Sequence, residues 1–362
     1  MSKVKTAVVG CGKVAHLHAK GLANAEQSEF TAAYSRKLEK AESFAAEYQI
    51  KPYDDLKQMI QNEGIEVLVI CTPHPFHAGP VIEGARLGVH SLIEKPMASS
   101  LEDCDAMLEA AEKHGITLGV VSQRRFYEPV KRMRQAIDEG KIGSPALGNV
   151  IMYGWRDKEY YDSDAWRGTW DQEGGGVLVN QSPHQLDLFQ WFMGEIEEVY
   201  GAWRNLNHPY IEVEDTAIAI VKFKNNAIGN ILVSNSQKPG IYGKVHINGT
   251  SGATIGAQTE GGAMFIAGST NIQETPVNDI WTVPGEEDQL DQWKKQDEAF
   301  FNSIDPAAYY IQMQDEDFCQ AILSNRQPIL PGKEGRITVE LFTAIYRSTR
   351  DNSPVRFPLT KK

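Results

Sequence analysis

The sequence predicts an α/β protein with two sheets: a doubly wound parallel sheet in an N-terminal Rossmann domain, then a large, mostly antiparallel open sheet in a C-terminal α/β domain. Short apolar runs alternate with amphipathic helical patterns as far as residue 122, and a glycine-rich turn follows the first run. Beyond residue 140, longer alternating runs follow one another with few helices between them. The expected division is residues 1–125, residues 126–345 and a C-terminal tail, residues 346–362.

The length and composition limit the class of protein. A chain of 362 residues exceeds one typical core, so two domains are expected. The net charge of −12 disfavours nucleic acid or an anionic membrane as a partner, because both attract basic surfaces. The first residues, MSKVKTAVVG, show no signal-peptide pattern, and the four cysteines are dispersed without a CxxC pair. We therefore expect a cytoplasmic protein in a reducing compartment.

The first strand and the turn after it predict a dinucleotide site. Residues 3–9 form a β-branched run, and the GxGxxA sequence GCGKVA follows at once, before a helix expected to reach about residue 24. The first glycine permits a sharp turn, and the second lets the backbone approach a pyrophosphate at the N-terminus of the helix. The predicted site comprises Gly10, Gly12, Lys13, Val14 and Ala15.

The tip of the second strand bears on the choice of cofactor. Residues 30–35 form the strand, and its end reads Tyr34-Ser35-Arg36-Lys37, where NAD enzymes usually carry an acidic residue for the ribose hydroxyls. A tip without a carboxylate and with a guanidinium permits a 2′-phosphate. Ser35 and Arg36 therefore permit NADP, and NAD or dual use stays open.

Two later strands, residues 67–71 and 89–93, deliver further candidates to the carboxyl edge of the parallel sheet, where such sheets bind ligands. A lysine beside a nicotinamide would have its pKa lowered by burial and by the positive ring, and would become an acid or base near neutral pH. No metal site is expected at His74 and His77, because no third ligand is apparent. The candidates at this edge are Thr72, Pro73, His77, Glu94 and Lys95.

The stretch EGGGVLVNQSPHQLDLFQWFM, residues 173–193, is the main candidate for substrate chemistry. After three glycines it has a helical pattern, and the spacing of Asn180, His184 and Asp187 places them on one stripe of one helix. An amide, an imidazole and a carboxylate would then face one ligand. A core histidine satisfied by a neighbour is the alternative.

Aromatic and basic side chains supply the remaining substrate candidates. Residues 155–170 are dense in Trp, Tyr, Arg and Lys, which is typical of a sugar-stacking wall and equally of an ordinary aromatic interface. Two converging arginines would bind a carboxylate, phosphate or sulfonate, whereas solvated surface charges are the other interpretation. The residues concerned are Arg124, Arg125, Tyr153, Arg156 and Lys158.

Together these motifs resemble the glucose-fructose oxidoreductase, inositol dehydrogenase and rhizopine-catabolism family, Gfo/Idh/MocA. The resemblance rests on GCGKVA, on the CTPxxxH form of residues 71–77, on the triplet Glu94-Lys95-Pro96 and on EGGGVLVNQSPHQLD. It implies NAD(P)-dependent oxidation or reduction of a hydroxyl on a sugar, cyclitol or related polyol. It also implies an open sheet often used for homodimer or homotetramer contacts.

By position, Lys95 is similar to the active-site lysine of the family and His184 to its catalytic histidine. Many dehydrogenases of the family carry aspartate where this chain has Asn180. An amide orients a hydroxyl but cannot accept a proton as a carboxylate does, so the base must be His184 or Lys95.

The resemblance extends to the nicotinamide surroundings. Trp166 and Arg167 resemble a segment that reaches over the cofactor, and Gln123 with Arg124 resembles the pair beneath the nicotinamide.

Three functions follow, in order of preference. The first is hydride transfer between the nicotinamide and a hydroxyl carbon of a sugar or cyclitol. The second is an NAD-dependent glycosidase, possibly on an anionic glycoside, in which transient oxidation acidifies a neighbouring carbon so that elimination, hydration and re-reduction follow. The third is a non-catalytic dinucleotide or sugar sensor.

Overall fold

The computed structural model describes residues 2–238, 242–260 and 274–359. The chain divides into two compact units: the first unit comprises residues 1–123 and 306–336, and the second comprises residues 124–305 and 337–362. Residues 306–336, which the sequence assigns to the second domain, pack with the first unit. The last three residues of the expected C-terminal tail, 360–362, lie outside the described part.

The first unit is built on a sheet of parallel strands in the order β3-β2-β1-β4-β5-β6, which is the Rossmann order and confirms the predicted fold. Its elements are β1 Val4–Val9, α1 Lys13–Asn24, β2 Ser28–Tyr34, α2 Leu38–Tyr48, β3 Lys51–Tyr53, α3 Leu56–Glu63, β4 Val67–Ile70, α4 Ala78–Arg86, β5 His90–Ile93, α5 Leu101–His114 and β6 Leu118–Val120. The 3₁₀ turns at His74–Phe76 and Gln123–Phe126 follow β4 and β6.

Local sequence explains these elements. Every residue of β4 is buried, as expected for a central parallel strand covered on both faces. The Ser100 hydroxyl caps α5 by accepting from the N–H of Asp103, and the helix ends at Gly115 in the left-handed region. The helix α11, Pro306–Leu323, packs against α1 and places Ile311 and Phe318 in the core of this unit.

The second unit is built on a sheet in the order β13-β12-β11-β7-β10-β9-β8-β14, antiparallel except for the parallel pair β7 and β10. Its elements are α6 Glu128–Asp138, β7 Pro145–Tyr153, α7 Lys158–Asp162, α8 Val177–Asn180, α9 Pro183–Met193, β8 Ile196–Arg204, β9 Thr216–Phe223, β10 Ile228–Ser234, β11 Tyr242–Gly249, β12 Thr254–Glu260, β13 Val277–Trp281, a 3₁₀ turn Glu287–Gln289, α10 Leu290–Phe301 and β14 Val355–Arg356. The helix α12, Gly332–Asp351, begins in the first unit and continues into the second.

One face of this sheet is covered by a helix and the other carries exposed apolar side chains. The helix α9 packs on β7 and β11, and a side chain at Gly148 or Gly229 would overlap the ring of Phe189. On the opposite face, Ile218 and Ile220 of β9 are 51% and 57% exposed, whereas the alternate residues of that strand are buried.

Among the described residues, no helix combines the length and the apolar character needed to span a bilayer. In the same part of the chain, no group of three or more His, Cys, Asp or Glu side chains is arranged to hold a metal ion.

Candidate functional site

The turn after β1 has the geometry that a dinucleotide requires. Gly10 has φ +98°, and a Cβ there would lie 2.9 Å from the backbone nitrogen of Thr72. Gly12 precedes α1 without a side-chain cap, and a Cβ on it would meet nothing within 4 Å. The turn lies where the strand order reverses, between β1 and β4, so a pyrophosphate fits beside the N-terminus of α1. Ala15, by contrast, is buried in the core.

Around this turn, Lys13 is exposed and Val14 partly buried. The tip of β2 lies next to the loop after β4: the guanidinium carbon of Arg36 is 5.2 Å from the centroid of the Phe76 ring. Arg36 is exposed, and the Ser35 hydroxyl accepts from the N–H of Lys37 at 3.4 Å.

The loop after β4 is held by a histidine that we had predicted to bind the cofactor. His77 is fully buried, with Nε2 2.7 Å from the carbonyl oxygen of Thr72 and Nδ1 3.1 Å from that of Met97. Burial lowers the pKa of His77. Because both ring nitrogens face carbonyl groups, this side chain fixes the turn at Thr72 and Pro73.

A buried chain of charged groups lies behind Lys95. The Glu94 carboxylate accepts from the backbone N–H of Lys95 at 2.9 Å, and its other oxygen lies 3.0 Å from Nε2 of His18. On its other side, Nδ1 of His18 is 2.8 Å from an oxygen of Asp315. All three side chains are buried.

The charges in this chain support one another. Burial alone would lower the pKa of His18, but Asp315 and Glu94 outweigh it and raise that pKa to about 10. Burial would raise the pKa of Glu94, but the hydrogen bond and charge of His18 outweigh it, and the result is a pKa below its usual range. Sequence reasoning missed His18 and Asp315, because 297 positions separate them and neither belongs to a motif.

At the end of β6, the backbone N–H of Ser122 donates to the side chain of Gln314 at 2.8 Å, and Gln123 is partly buried. The next residue, Arg124, belongs to the second unit. It is buried there and donates to the hydroxyl of Thr259 at 3.4 Å.

In the second unit, the prediction of one continuous helix carrying Asn180, His184 and Asp187 is wrong. The helix α8 ends at Asn180, and α9 begins at Pro183. Proline has no N–H for the carbonyl group four residues earlier, so it starts a new helix instead of continuing the old one. Asn180 therefore lies at a helix end, while His184, buried with 5% exposed, lies in the first turn of the next helix.

The glycine turn before α8 is anchored by a buried carboxylate. Glu214 accepts from the backbone N–H groups of Gly176 and Leu178, both at 3.0 Å, and from the Tyr346 hydroxyl at 2.9 Å. Burial raises the pKa of Glu214 to about 7, although the backbone donors at Leu178 and Gly176 oppose this. A Cβ at Gly176 would come within 1.8 Å of the Glu214 carbonyl oxygen, which explains the glycine.

The amide of Asn180 is oriented by two neighbours. Its nitrogen donates to the buried carboxylate of Glu173 and to the Tyr160 hydroxyl at 3.3 Å. The second oxygen of Glu173 accepts from the N–H of Gly168 at 2.6 Å. The Glu-Gly-Gly-Gly motif thus supplies both the turn and the group that orients Asn180.

Asp187, a predicted substrate-binding residue, is buried in an ion pair. Its oxygens accept from Nε and Nη2 of Arg125 at 2.9 and 2.7 Å, and the guanidinium carbon of Arg125 lies 4.4 Å from the Trp191 ring centroid. Both carboxylate oxygens are engaged, so the arrangement gives Asp187 a structural position in the interior of the second unit.

The aromatic segment 155–170 forms a cluster around Tyr160. The Tyr160 hydroxyl accepts from Arg167 at 2.6 Å and from Gln181 at 2.9 Å, and the Arg167 guanidinium also lies 4.4 Å from the Trp166 ring centroid. The Arg156 guanidinium carbon lies 5.2 Å from the Tyr160 centroid, whereas Tyr153, at the end of β7, is partly buried.

Comparison with known proteins agrees with this architecture. Residues 4–122 match the family model described as "Oxidoreductase family, NAD-binding Rossmann fold", and residues 130–255 match "GFO/IDH/MocA C-terminal domain". The structure of the WlbA dehydrogenase from Bordetella pertussis, in complex with NADH and UDP-GlcNAcA, has a TM-score of 0.86 and 27% identity, with 99% of each chain covered.

Two curated relatives extend the comparison. The scyllo-inositol 2-dehydrogenase (NAD(+)) of Bacillus subtilis is 25% identical over 99% of this chain and 98% of its own length. The 2,7-anhydro-N-acetylneuraminate hydratase of Escherichia coli is 28% identical over 75% of this chain and 73% of its own length. The Rossmann strand order, the glycine turn and both family models lead to one conclusion: the chain belongs to the Gfo/Idh/MocA family of NAD-binding oxidoreductases.

Proposed function

We propose that this protein transfers a hydride between a nicotinamide cofactor and a hydroxyl-bearing carbon of a sugar, cyclitol or sugar derivative. The observation that carries the proposal is the placement of Lys95. It follows β5 at the carboxyl edge of the Rossmann sheet, the edge that also holds the glycine turn, and its backbone is fixed by buried Glu94. When bound, the nicotinamide supplies the carbon that exchanges the hydride.

The residues of the chain supply position and proton transfer. Lys95 polarises the reacting oxygen, and His184 takes or gives the hydroxyl proton. Asn180, whose amide nitrogen is held by Glu173 and Tyr160, orients a neighbouring hydroxyl group.

The test is Lys95→Met against Lys57→Met, which removes an exposed lysine from α3. A panel of sugars, cyclitols and glycosides is followed at the reduced-nicotinamide absorbance band, with NAD and with NADP. We expect Lys95→Met to lose at least about a hundredfold in kcat, the lower range for a positioned acid or base, while it still binds NADH. Full turnover by Lys95→Met would refute the assignment.

The second candidate is a redox-neutral glycosidase or hydratase, and the Escherichia coli hydratase named above favours it. In this reaction, oxidation acidifies the adjacent carbon, a leaving group is eliminated, water adds and the hydride returns, so the nicotinamide is unchanged overall. Release of phenol from aryl glycosides that depends on NAD but leaves no net NADH would establish it. NADH binding without turnover of any substrate in the panel would instead indicate a sensor.

For the cofactor, we propose that the enzyme accepts NADP as well as NAD. The tip of β2 carries no acidic side chain from Ser35 to Lys37, and Arg36 lies against Phe76 at the tip. For the assembly, we propose a homodimer or homotetramer formed through the exposed apolar face of the second unit's sheet, which includes Ile218 and Ile220.

A further inference from the structure

We propose that Arg156 forms a subsite for a carboxylate on the substrate, so that the preferred substrate is a sugar acid or an acidic sugar derivative. The proposal deepens the proposed function and rests on it, because it takes the ligand to be the substrate of the reaction. Its evidence lies entirely within the second unit.

The first observation is a buried positive charge without a carboxylate partner. Arg156 is 6% exposed, donates through Nη1 to the carbonyl of Trp155 at 3.2 Å, and has a buried Nε with no hydrogen-bond partner. Across residues 2–238, 242–260 and 274–359, no Asp or Glu forms an ion pair with it. A buried charge costs several kcal/mol unless it is paired, so an anion from outside the chain would relieve this cost.

Arg125, in the same unit, is an example of a buried arginine with a structural role. Arg125 is 1% exposed, and Asp187 binds it through both carboxylate oxygens. Its guanidinium also lies over an aromatic ring, as that of Arg156 does. The two sites therefore differ in the missing carboxylate, and this difference indicates binding for Arg156 and packing for Arg125.

Asp215 is linked to the backbone of Arg156 by way of His208, and its carboxylate is already bound by other groups. The carbonyl of Arg156 lies 2.7 Å from Nε2 of His208, whose Nδ1 lies 2.7 Å from Asp215. Asp215 also accepts from the N–H groups of Leu206 and Asn207 at 2.9 and 2.8 Å. These bonds lock the backbone of Arg156. The bond from Nη1 to the Trp155 carbonyl and the packing on the Tyr160 ring hold the guanidinium itself, as a binding group requires.

Arg156 and Asn180, the amide proposed to orient the substrate, both contact Tyr160. The Arg156 guanidinium packs on the ring of Tyr160, and the hydroxyl of the same tyrosine accepts from the Asn180 amide at 3.3 Å. One aromatic ring thus connects the unpaired cation with the amide that orients the substrate. A carboxylate on a sugar whose hydroxyl binds at Asn180 is therefore the group for which Arg156 is positioned.

Trp155, the residue before Arg156, carries a further buried polar atom. Its indole nitrogen has no hydrogen-bond partner. The Trp155 and Tyr161 rings pack on His208 with centroids 5.0 and 5.6 Å from its ring, and the N–H of Arg156 donates to the carbonyl of Asn235 at 3.1 Å. The indole N–H and the planar guanidinium are both donors, which suits a planar carboxylate.

The experiment compares acids with their neutral esters. Dissociation constants of D-glucuronate, D-galacturonate and N-acetylneuraminate, and of their methyl esters, are measured by calorimetry on the full-length protein saturated with NADH. We expect at least one acid to bind about tenfold or more tightly than its ester, and Arg156→Gln to abolish that preference, since a charged hydrogen bond contributes about 1.5–3 kcal/mol.

The matched control is Arg204→Gln. Arg204 also donates through Nη1 to the carbonyl of the preceding residue, but it is exposed. This variant should keep the preference for the acid. Equal binding of every acid and its ester by the wild-type protein, or an unchanged preference in Arg156→Gln, would overturn the proposal.

A stability measurement separates binding from folding. Because the Arg156 charge is unpaired, Arg156→Met should unfold at the same temperature as the wild type or higher, whereas Arg125→Met should unfold at a clearly lower temperature because it removes the charged partner of buried Asp187. An equally large loss in Arg156→Met would show that Arg156 is structural. Lys95→Met should still bind the acid preferentially, so a failure of the catalytic assignment is distinguishable from a failure of the subsite.

Discussion

Replacing Asp315 by asparagine should destabilise the first unit through the buried charges of Glu94 and His18. The substitution keeps the size of the side chain and an oxygen facing His18, and it removes the negative charge that contributes most to raising the pKa of His18. Because His18 and Asp315 are 0% and 1% exposed, solvent hardly screens the pair.

The magnitude follows from the pKa values. A rise from 6.5 to about 10 corresponds to about 5 kcal/mol, at about 1.4 kcal/mol for each pH unit. This is an upper limit, because Glu94 supplies part of the stabilisation and burial raises the pKa of Asp315 itself. We expect Asp315→Asn to lose about 3 kcal/mol at pH 6.5, in line with the breaking of a buried ion pair.

The raised pKa of His18 also sets the direction in which folding stability changes with pH. A raised histidine pKa contributes its full stabilisation below the unfolded value of 6.5, and that contribution is lost as the pH rises through the folded value of about 10. The wild type should therefore lose more stability between pH 6.5 and 10 than Asp315→Asn does. The charged groups acting on His18 are Glu94 and Asp315, and those acting on these two carboxylates include Lys95 and Glu316.

The assay is urea unfolding followed by circular dichroism at pH 6.5, 8 and 9.5. The control Glu112→Gln changes an exposed residue of α5 in the same unit and should cost under about 0.5 kcal/mol. If Asp315→Asn unfolds at the same urea concentration as the wild type, or shows the same dependence on pH, the buried charges do not stabilise the unit as argued.

The other predictions concern separate features. Burial raises the pKa of Glu214 to about 7, so its contribution to folding stability is present below pH 4.5 and is lost as the pH rises through 7. Glu214→Gln should therefore remove up to about 3 kcal/mol of the pH dependence of urea unfolding in that range. An unchanged pH dependence would contradict this. Arg36→Ala should raise KM for NADP about tenfold and leave KM for NAD within about twofold, and equal effects on both would exclude a 2′-phosphate contact. Ile220→Lys should reduce the mass measured by light scattering to that of a smaller assembly, whereas Lys57→Glu, which changes an exposed residue of α3 in the first unit, should not; an unchanged mass in Ile220→Lys would place the interface elsewhere.

The parts of the fold that the sequence predicted are those with a short repeating signal. Apolar runs such as Val67–Ile70 and the glycine turn at Gly10 predicted the Rossmann sheet, and alternation predicted long strands in the second unit. The short strands β3 and β14 escaped prediction, because two or three residues give no recognisable period.

Contacts between distant residues were harder to predict. The partnership of His18 with Asp315 leaves no local pattern, and neither does the pairing of Asp187 with Arg125. Helical spacing gives the face of a helix and not what lies against that face. Pro183 did provide a signal, since a proline commonly begins a helix, and it explains why Asn180 and His184 lie on separate helices.

Residues 306–336 come late in the chain but pack with the first unit, which affects when that unit can fold during synthesis. The ribosome completes α1, which carries His18, long before it reaches Asp315, so the nucleotide-binding fold can acquire its full set of buried charges only when nearly the whole polypeptide has been synthesised. A fragment ending at residue 123 would lack α11, so His18 would lose Asp315 and the part of α1 that packs on α11 would be exposed to water or a chaperone.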